Sequence, residues 1–121
     1  MQTKQIVFTK PYTAELLDVE CLPPEADEVT VSLEFSAISS GTEKANFAGV
    51  RNGINVAEDA EALFPRMCGY SAAGVVAEAG SNVENVKVGD RVCVYWGLHK
   101  KDITVSKNNV IKIFKHINFF L

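Results

Sequence analysis

Apolar and polar residues alternate along much of the chain with the period of a β-strand rather than that of a helix. In the first third the alternation predicts strands over residues 5–9, 14–19 and 28–36, each rich in β-branched or aromatic side chains. Leu22-Pro23-Pro24-Glu25-Ala26-Asp27 separates the second from the third. Two consecutive prolines cannot sit inside a sheet, so this stretch is expected to be a surface loop. The pattern returns at Gly74 and predicts a strand over 75–79, a polar loop over 81–85, a turn at Lys87-Val88-Gly89-Asp90 and a strand over 91–96. Two short strands, 102–105 and 109–113, flank a turn at Ser106-Lys107-Asn108. Helix is a minority: 43–49 predicts a short helical turn, and 56–63, with Ala57, Ala60 and Ala62, a second helix. Between them Arg51-Asn52-Gly53 predicts a turn, because Asn-Gly readily adopts positive φ. Many short strands punctuated by Gly and Asn turns predict a mainly β domain, a barrel or sandwich with one or two short helices.

Composition narrows the function classes. The chain has 121 residues, 47% hydrophobic and 22% charged, which fits one soluble domain with a core of its own. A net charge of -3 offers no electrostatic footprint for a phosphate backbone, so nucleic acid is not an expected partner. No apolar run is long enough for a signal peptide or for the roughly 18 residues of a membrane span, and the default address is cytoplasmic, with no membrane partner. Cys21, Cys68 and Cys93 are odd in number and widely spaced, neither a disulfide framework nor a Cys-x-x-Cys metal cluster. They are expected to be small buried hydrophobes in a reducing compartment.

Nucleotide signals fail. No G-x-G-x-x-G occurs, and Gly69 and Gly74 are followed by Val75-Val76 where a phosphate loop needs Lys-Ser/Thr. His99 and His116 have no His or Cys near them in sequence, and His99, beside Lys100-Lys101, is expected in a solvated turn. Two clusters remain. Ser39-Ser40-Gly41-Thr42-Glu43 brings three hydroxyls and a carboxylate to a strand end; on spacing alone it is also a turn with a Ser or Thr helix cap. Cys68-Gly69-Tyr70-Ser71-Ala72-Ala73-Gly74 surrounds one phenol with small residues; on spacing alone it is also a glycine bend packed beside a core tyrosine.

Four blocks, in order, resemble the medium-chain alcohol dehydrogenase superfamily over roughly residues 5–113. They are Ser36-Ala37-Ile38-Ser39-Ser40-Gly41-Thr42-Glu43; Phe64-Pro65-Arg66-Met67-Cys68-Gly69-Tyr70-Ser71-Ala72-Ala73-Gly74-Val75-Val76; Val86-Lys87-Val88-Gly89-Asp90-Arg91-Val92; and Asp102-Ile103-Thr104-Val105 with Asn109-Val110-Ile111-Lys112-Ile113. The resemblance implies a GroES-like, partly open β-barrel, the substrate-side domain of an NAD(P)-dependent oxidoreductase. The wording of the first two blocks is similar to a zinc-less branch that includes bacteriochlorophyllide dehydrogenase and certain two-part sugar or polyketide-type oxidoreductases.

Carried over residue by residue, the resemblance puts Ser40 where zinc-dependent members have a cysteine ligand, and Tyr70 and Ser71 where they have His and Glu. Hydroxyls are weak ligands beside thiolate and imidazole, so no zinc is expected, and the four-cysteine structural lobe of the family is missing as well. Thr42 matches the family's relay hydroxyl, and Tyr70 is the second expected catalytic donor; a phenol keeps its proton at neutral pH and donates rather than abstracts. Glu43 matches a mainly structural acid.

The resemblance further implies that NAD or NADP is bound only in a full-length protein, that this chain binds neither alone, and that its partners are a small-molecule substrate and a Rossmann domain. Residues 114–121 are expected to be the truncated start of a linker to that domain. An isolated chain of this kind is expected to be inactive and to form homo-oligomers through apolar groups such as Phe114, Phe119 and Phe120. Two other readings remain at this point: a non-enzymatic GroES-like binding or assembly module, and a degenerate fragment.

Overall fold

The structure, a computed structural model, describes residues 1–51, 55–56 and 63–114, without the side chains of residues 50, 51, 55 and 56. The domain is mainly β. Its centre is a five-stranded antiparallel sheet in the order β10-β8-β7-β3-β9, formed by β3 (Glu28–Ser36), β7 (Ser71–Ala79), β8 (Arg91–Tyr95), β9 (Asp102–Ser106) and β10 (Val110–Lys112). A second sheet, in the order β2-β1-β6, joins β1 (Gln2–Lys10), β2 (Thr13–Glu20) and β6 (Arg66–Met67). The single α-helix among the described residues, α1 (Ser40–Ala48), follows β3.

Alternation decides which side chains meet. Ala72, Gly74 and Val76 of β7 and Val92 and Val94 of β8 point inward, and with Val29, Val31, Leu33, Ile103, Val110 and Val86 they make the core. β3 departs from the alternation because it is covered on both faces. Thr30, between Val29 and Val31, is buried too, and its hydroxyl lies 2.7 Å from that of Thr104, which in turn donates to the Leu22 carbonyl at 2.6 Å. The proline-bearing loop thus lies against β3 and β9 at the back of the sheet.

The longer strands lie where the sequence pattern predicts, while several ends and the short elements between α1 and β7 do not. β1 starts at Gln2 because Thr3 and Gln5, polar residues that hide the pattern, are the buried ones; Thr3 donates to Asp102 at 2.8 Å. β7 starts at Ser71, and Gly74 allows it to lie close on β3, since a Cβ there would run into the Ser32 carbonyl oxygen. α1 starts three residues before the expected helical turn and ends on Gly49, whose φ of 79° and N–H to the Ala45 carbonyl close it in a left-handed cap. The helix expected over 56–63 is corrected at its start: Asn55–Val56 is a strand, β5, paired with β4, Val50–Arg51. Its remainder at 57–62, the expected turn residues 52–53 and the tail 115–121, including Phe119 and Phe120, lie outside the described residues.

The two sheets meet along β1. Ile6 N–H donates to the His99 carbonyl at 2.9 Å, Lys101 N–H donates to the Lys4 carbonyl at 2.8 Å, and Gln5 bridges Lys100. Residues 99–101 therefore behave as a strand-like segment laid along β1. No helix among the described residues is long and apolar enough to cross a membrane.

Candidate functional site

Three chain segments converge where β3 ends. Ala37 N–H donates to the Ser71 carbonyl at 2.8 Å, tying the approach to α1 to the start of β7. From the other side, Trp96 N–H donates to the Tyr70 carbonyl at 2.8 Å and His99 N–H to the Cys68 carbonyl at 2.9 Å. The 68–71 segment is thus held between two others. Gly69, at φ +93°, permits this, since a Cβ there would stand 2.8 Å from the His99 backbone nitrogen.

Behind the clasp is a buried polar cluster of Glu43, Cys68 and His99. An oxygen of the Glu43 carboxylate accepts from His99 Nε2 at 2.7 Å, and the Ser36 hydroxyl faces His99 Nδ1 at 2.7 Å. The Glu43 and His99 side chains are only 11% and 10% exposed, so this is an interior ion pair whenever the imidazole is protonated. Cys68 is buried and its thiol points to the Ile6 carbonyl at 3.5 Å. Burial, reinforced by the charge of Glu43, pushes that thiol up to about 11. The second carboxylate oxygen of Glu43, Oε2, is buried and has no hydrogen-bond partner among the described residues.

This cluster corrects the expectation for His99. The residue is not in a solvated turn, because its backbone pairs with β1 and the pairing turns the ring inward. It also brings together a group that sequence spacing did not suggest: the ligand atoms of Glu43, Cys68 and His99 all lie within 4.8 Å of one another. Sequence spacing gave no signal, since Glu43 and His99 are 56 positions apart. Of the cysteines, Cys21 and Cys68 are buried as expected, whereas Cys93 is exposed because it occupies an outward position in the alternation of β8.

The residues singled out in the sequence lie on the outside of the same convergence. Ser40 and Thr42 are exposed on the first turn of α1, while Glu43, one residue on, turns inward. Ser71 is exposed at the first position of β7 and pairs with Tyr95. Tyr70 is 39% exposed rather than a core residue, and its ring meets Trp96 edge-on at 6.3 Å. Trp96 in turn meets Tyr95 at 5.5 Å, so Tyr70, Trp96 and Tyr95 make an exposed aromatic surface, and Ile38, near the end of β3, is exposed as well. Among the described residues, neither Thr42 nor Tyr70 has a side-chain hydrogen-bond partner.

Ser40, Tyr70 and Ser71 present hydroxyls only.

Comparison with known proteins places the chain. The model of the alcohol dehydrogenase GroES-like domain matches residues 25–114. The chain is 40% identical over 83 residues to alcohol dehydrogenase class-3 of Pisum sativum, covering 69% of this chain and 19% of that protein. It is 39% identical over 79 residues to S-(hydroxymethyl)glutathione dehydrogenase of Komagataella pastoris, covering 65% of this chain and 18% of that protein. It therefore spans about a fifth of the length of these relatives. In fold it is similar to the quinone oxidoreductase of Coxiella burnetii, with a TM-score of 0.79 at 20% identity, covering 98% of this chain and 39% of that one. These relatives lend no support to the expected zinc-less branch; what they share with the chain is the superfamily. With the matched model spanning most of its length, the chain belongs to the family of alcohol dehydrogenase GroES-like domains.

Proposed function

We propose that residues 1–113 are the substrate-side domain of an NAD(P)-dependent oxidoreductase of the medium-chain alcohol dehydrogenase type, acting without zinc at the family's catalytic position. The observation that carries this reading is that Tyr70, 39% exposed and edge-on to Trp96, stands on the segment held at the convergence, with Thr42 exposed on the helix that follows β3. The nicotinamide, held by a nucleotide-binding domain, supplies the hydride. This chain's residues bind and orient a small carbonyl or alcohol substrate against Ile38, Tyr95 and Trp96. Tyr70 donates a hydrogen bond to the substrate oxygen where charge develops, and Thr42 passes the proton.

The hydroxyl donors at Ser40, Tyr70 and Ser71 support zinc independence, and the dehydrogenases among the relatives support the cofactor class. The chain alone binds no nicotinamide and turns nothing over. The nucleotide-binding domain covers the apolar face that includes the exposed Phe114, and without that cover copies of the chain associate through it. Three unpaired thiols among the described residues suit a cytoplasmic protein. The test is to join the chain to the NAD(P)-binding domain of a medium-chain relative and follow nicotinamide oxidation with aldehydes and ketones.

A further inference from the structure

The buried cluster behind the site is not used by the chemistry just described, and its composition is that of a metal site. We propose that Glu43, Cys68 and His99 form a closed site for a single zinc-class divalent cation, which fastens α1 to the 68–71 and 97–101 segments. A sulfur, an imidazole nitrogen and a carboxylate are the donor types zinc takes, and here the ligand atoms lie within 4.8 Å of one another. With both Glu43 oxygens, Cys68 Sγ and His99 Nε2, the set reaches four donor atoms. An independent observation points to the same occupant: Glu43 Oε2 is buried and unpartnered, although Glu43 is only 9% exposed.

The surroundings are built to orient the ligands. Ser36 holds His99 Nδ1 at 2.7 Å, the outer contact that fixes a ligating imidazole with Nε2 toward the ion. Gly69 lets the chain carrying Cys68 approach His99 closely. When the ion enters, the hydrogen on Nε2 gives way to one on Nδ1 that Ser36 accepts, and the Cys68 thiol releases its proton to solvent. Cys68 is 2% and Glu43 9% exposed, so two of the three ligands lie away from solvent. The ion is a structural clamp, separate from Ser40, Tyr70 and Ser71, and the proposal stands or falls independently of the hydride chemistry.

Cobalt(II) added to the purified, metal-free chain tests this. The expected result is one ion per chain with a thiolate-to-cobalt charge-transfer band, displaced by zinc, and a melting temperature that rises with zinc. Cys68→Ser abolishes the band, and His99→Gln and Glu43→Gln each weaken binding at least about tenfold, whereas Cys21→Ser and Cys93→Ser keep the spectrum. Ser36→Ala, which leaves every ligand in place, weakens binding about tenfold or more and serves where a ligand variant fails to fold. Absence of the band in the wild-type chain, its survival in Cys68→Ser, its loss in Cys93→Ser, or unchanged affinity in Ser36→Ala would overturn the proposal.

Discussion

Gly69 lies so close to His99 that a single added Cβ would stand 2.8 Å from the His99 backbone nitrogen and 3.1 Å from its ring Nδ1. Neither neighbour has room to withdraw, since the His99 N–H is bonded to the Cys68 carbonyl and Nδ1 faces Ser36. The φ of +93° adds backbone strain for any L side chain. Gly69→Ala is therefore expected to cost at least about 2 kcal/mol, measured by urea unfolding. A cost below about 0.5 kcal/mol would show that the clasp between 68–71 and 96–99 is not held as described.

Core packing gives a second expectation. Leu33 is 4% exposed in the core cluster, where a truncation leaves a cavity that its valine neighbours cannot fill. Leu33→Ala is expected to cost about 2–5 kcal/mol by the same unfolding measurement, against a negligible change for Leu16→Ala on the exposed strand β2.

Acid should loosen the turn before β8. The Lys87 N–H donates to Asp90 Oδ2 at 3.0 Å, and this bond, helped by Lys112, holds the Asp90 carboxyl below its ordinary value of 3.8. A carboxyl with a depressed folded pKa contributes stability that is present above its unfolded value and lost as pH falls through the folded one. Stability is accordingly expected to fall below about pH 4, with a shallower fall in Asp90→Asn, in chemical unfolding followed across that range.

Thiol reactivity separates the three cysteines. Cys93 is exposed while Cys21 and Cys68 are buried, so a maleimide at neutral pH should label one thiol per native chain quickly and all three only after unfolding. Peptide mapping identifies the labelled residue, and rapid labelling of Cys68 in the native chain would contradict the burial of the cluster.

Sequence carried the strands where burial follows strict alternation, as in β7 and β8, and the turn at 87–90 where Gly89 and Asp90 mark it. It misplaced strand ends where the buried residues are polar, as at Thr3 and Gln5, because their partners come from distant segments. Thr42 and Tyr70 could be singled out as proposed donors because the family blocks that contain them are local, and the structure shows both to be exposed. The buried half was not: Glu43, Cys68 and His99 meet only after β1 draws the 99–101 segment inward, and nothing in their spacing announces it.

The measurement that bears most directly on the central claim is nicotinamide oxidation by the chain joined to a medium-chain NAD(P)-binding domain, with aldehydes and ketones as substrates. The expected result is turnover by the joined protein and none by the chain alone, with Tyr70→Phe and Thr42→Ala each lowering kcat/KM by about 10²-fold in the folded protein. A properly folded joined protein that oxidises no nicotinamide, or one whose rate is indifferent to both substitutions, would contradict it.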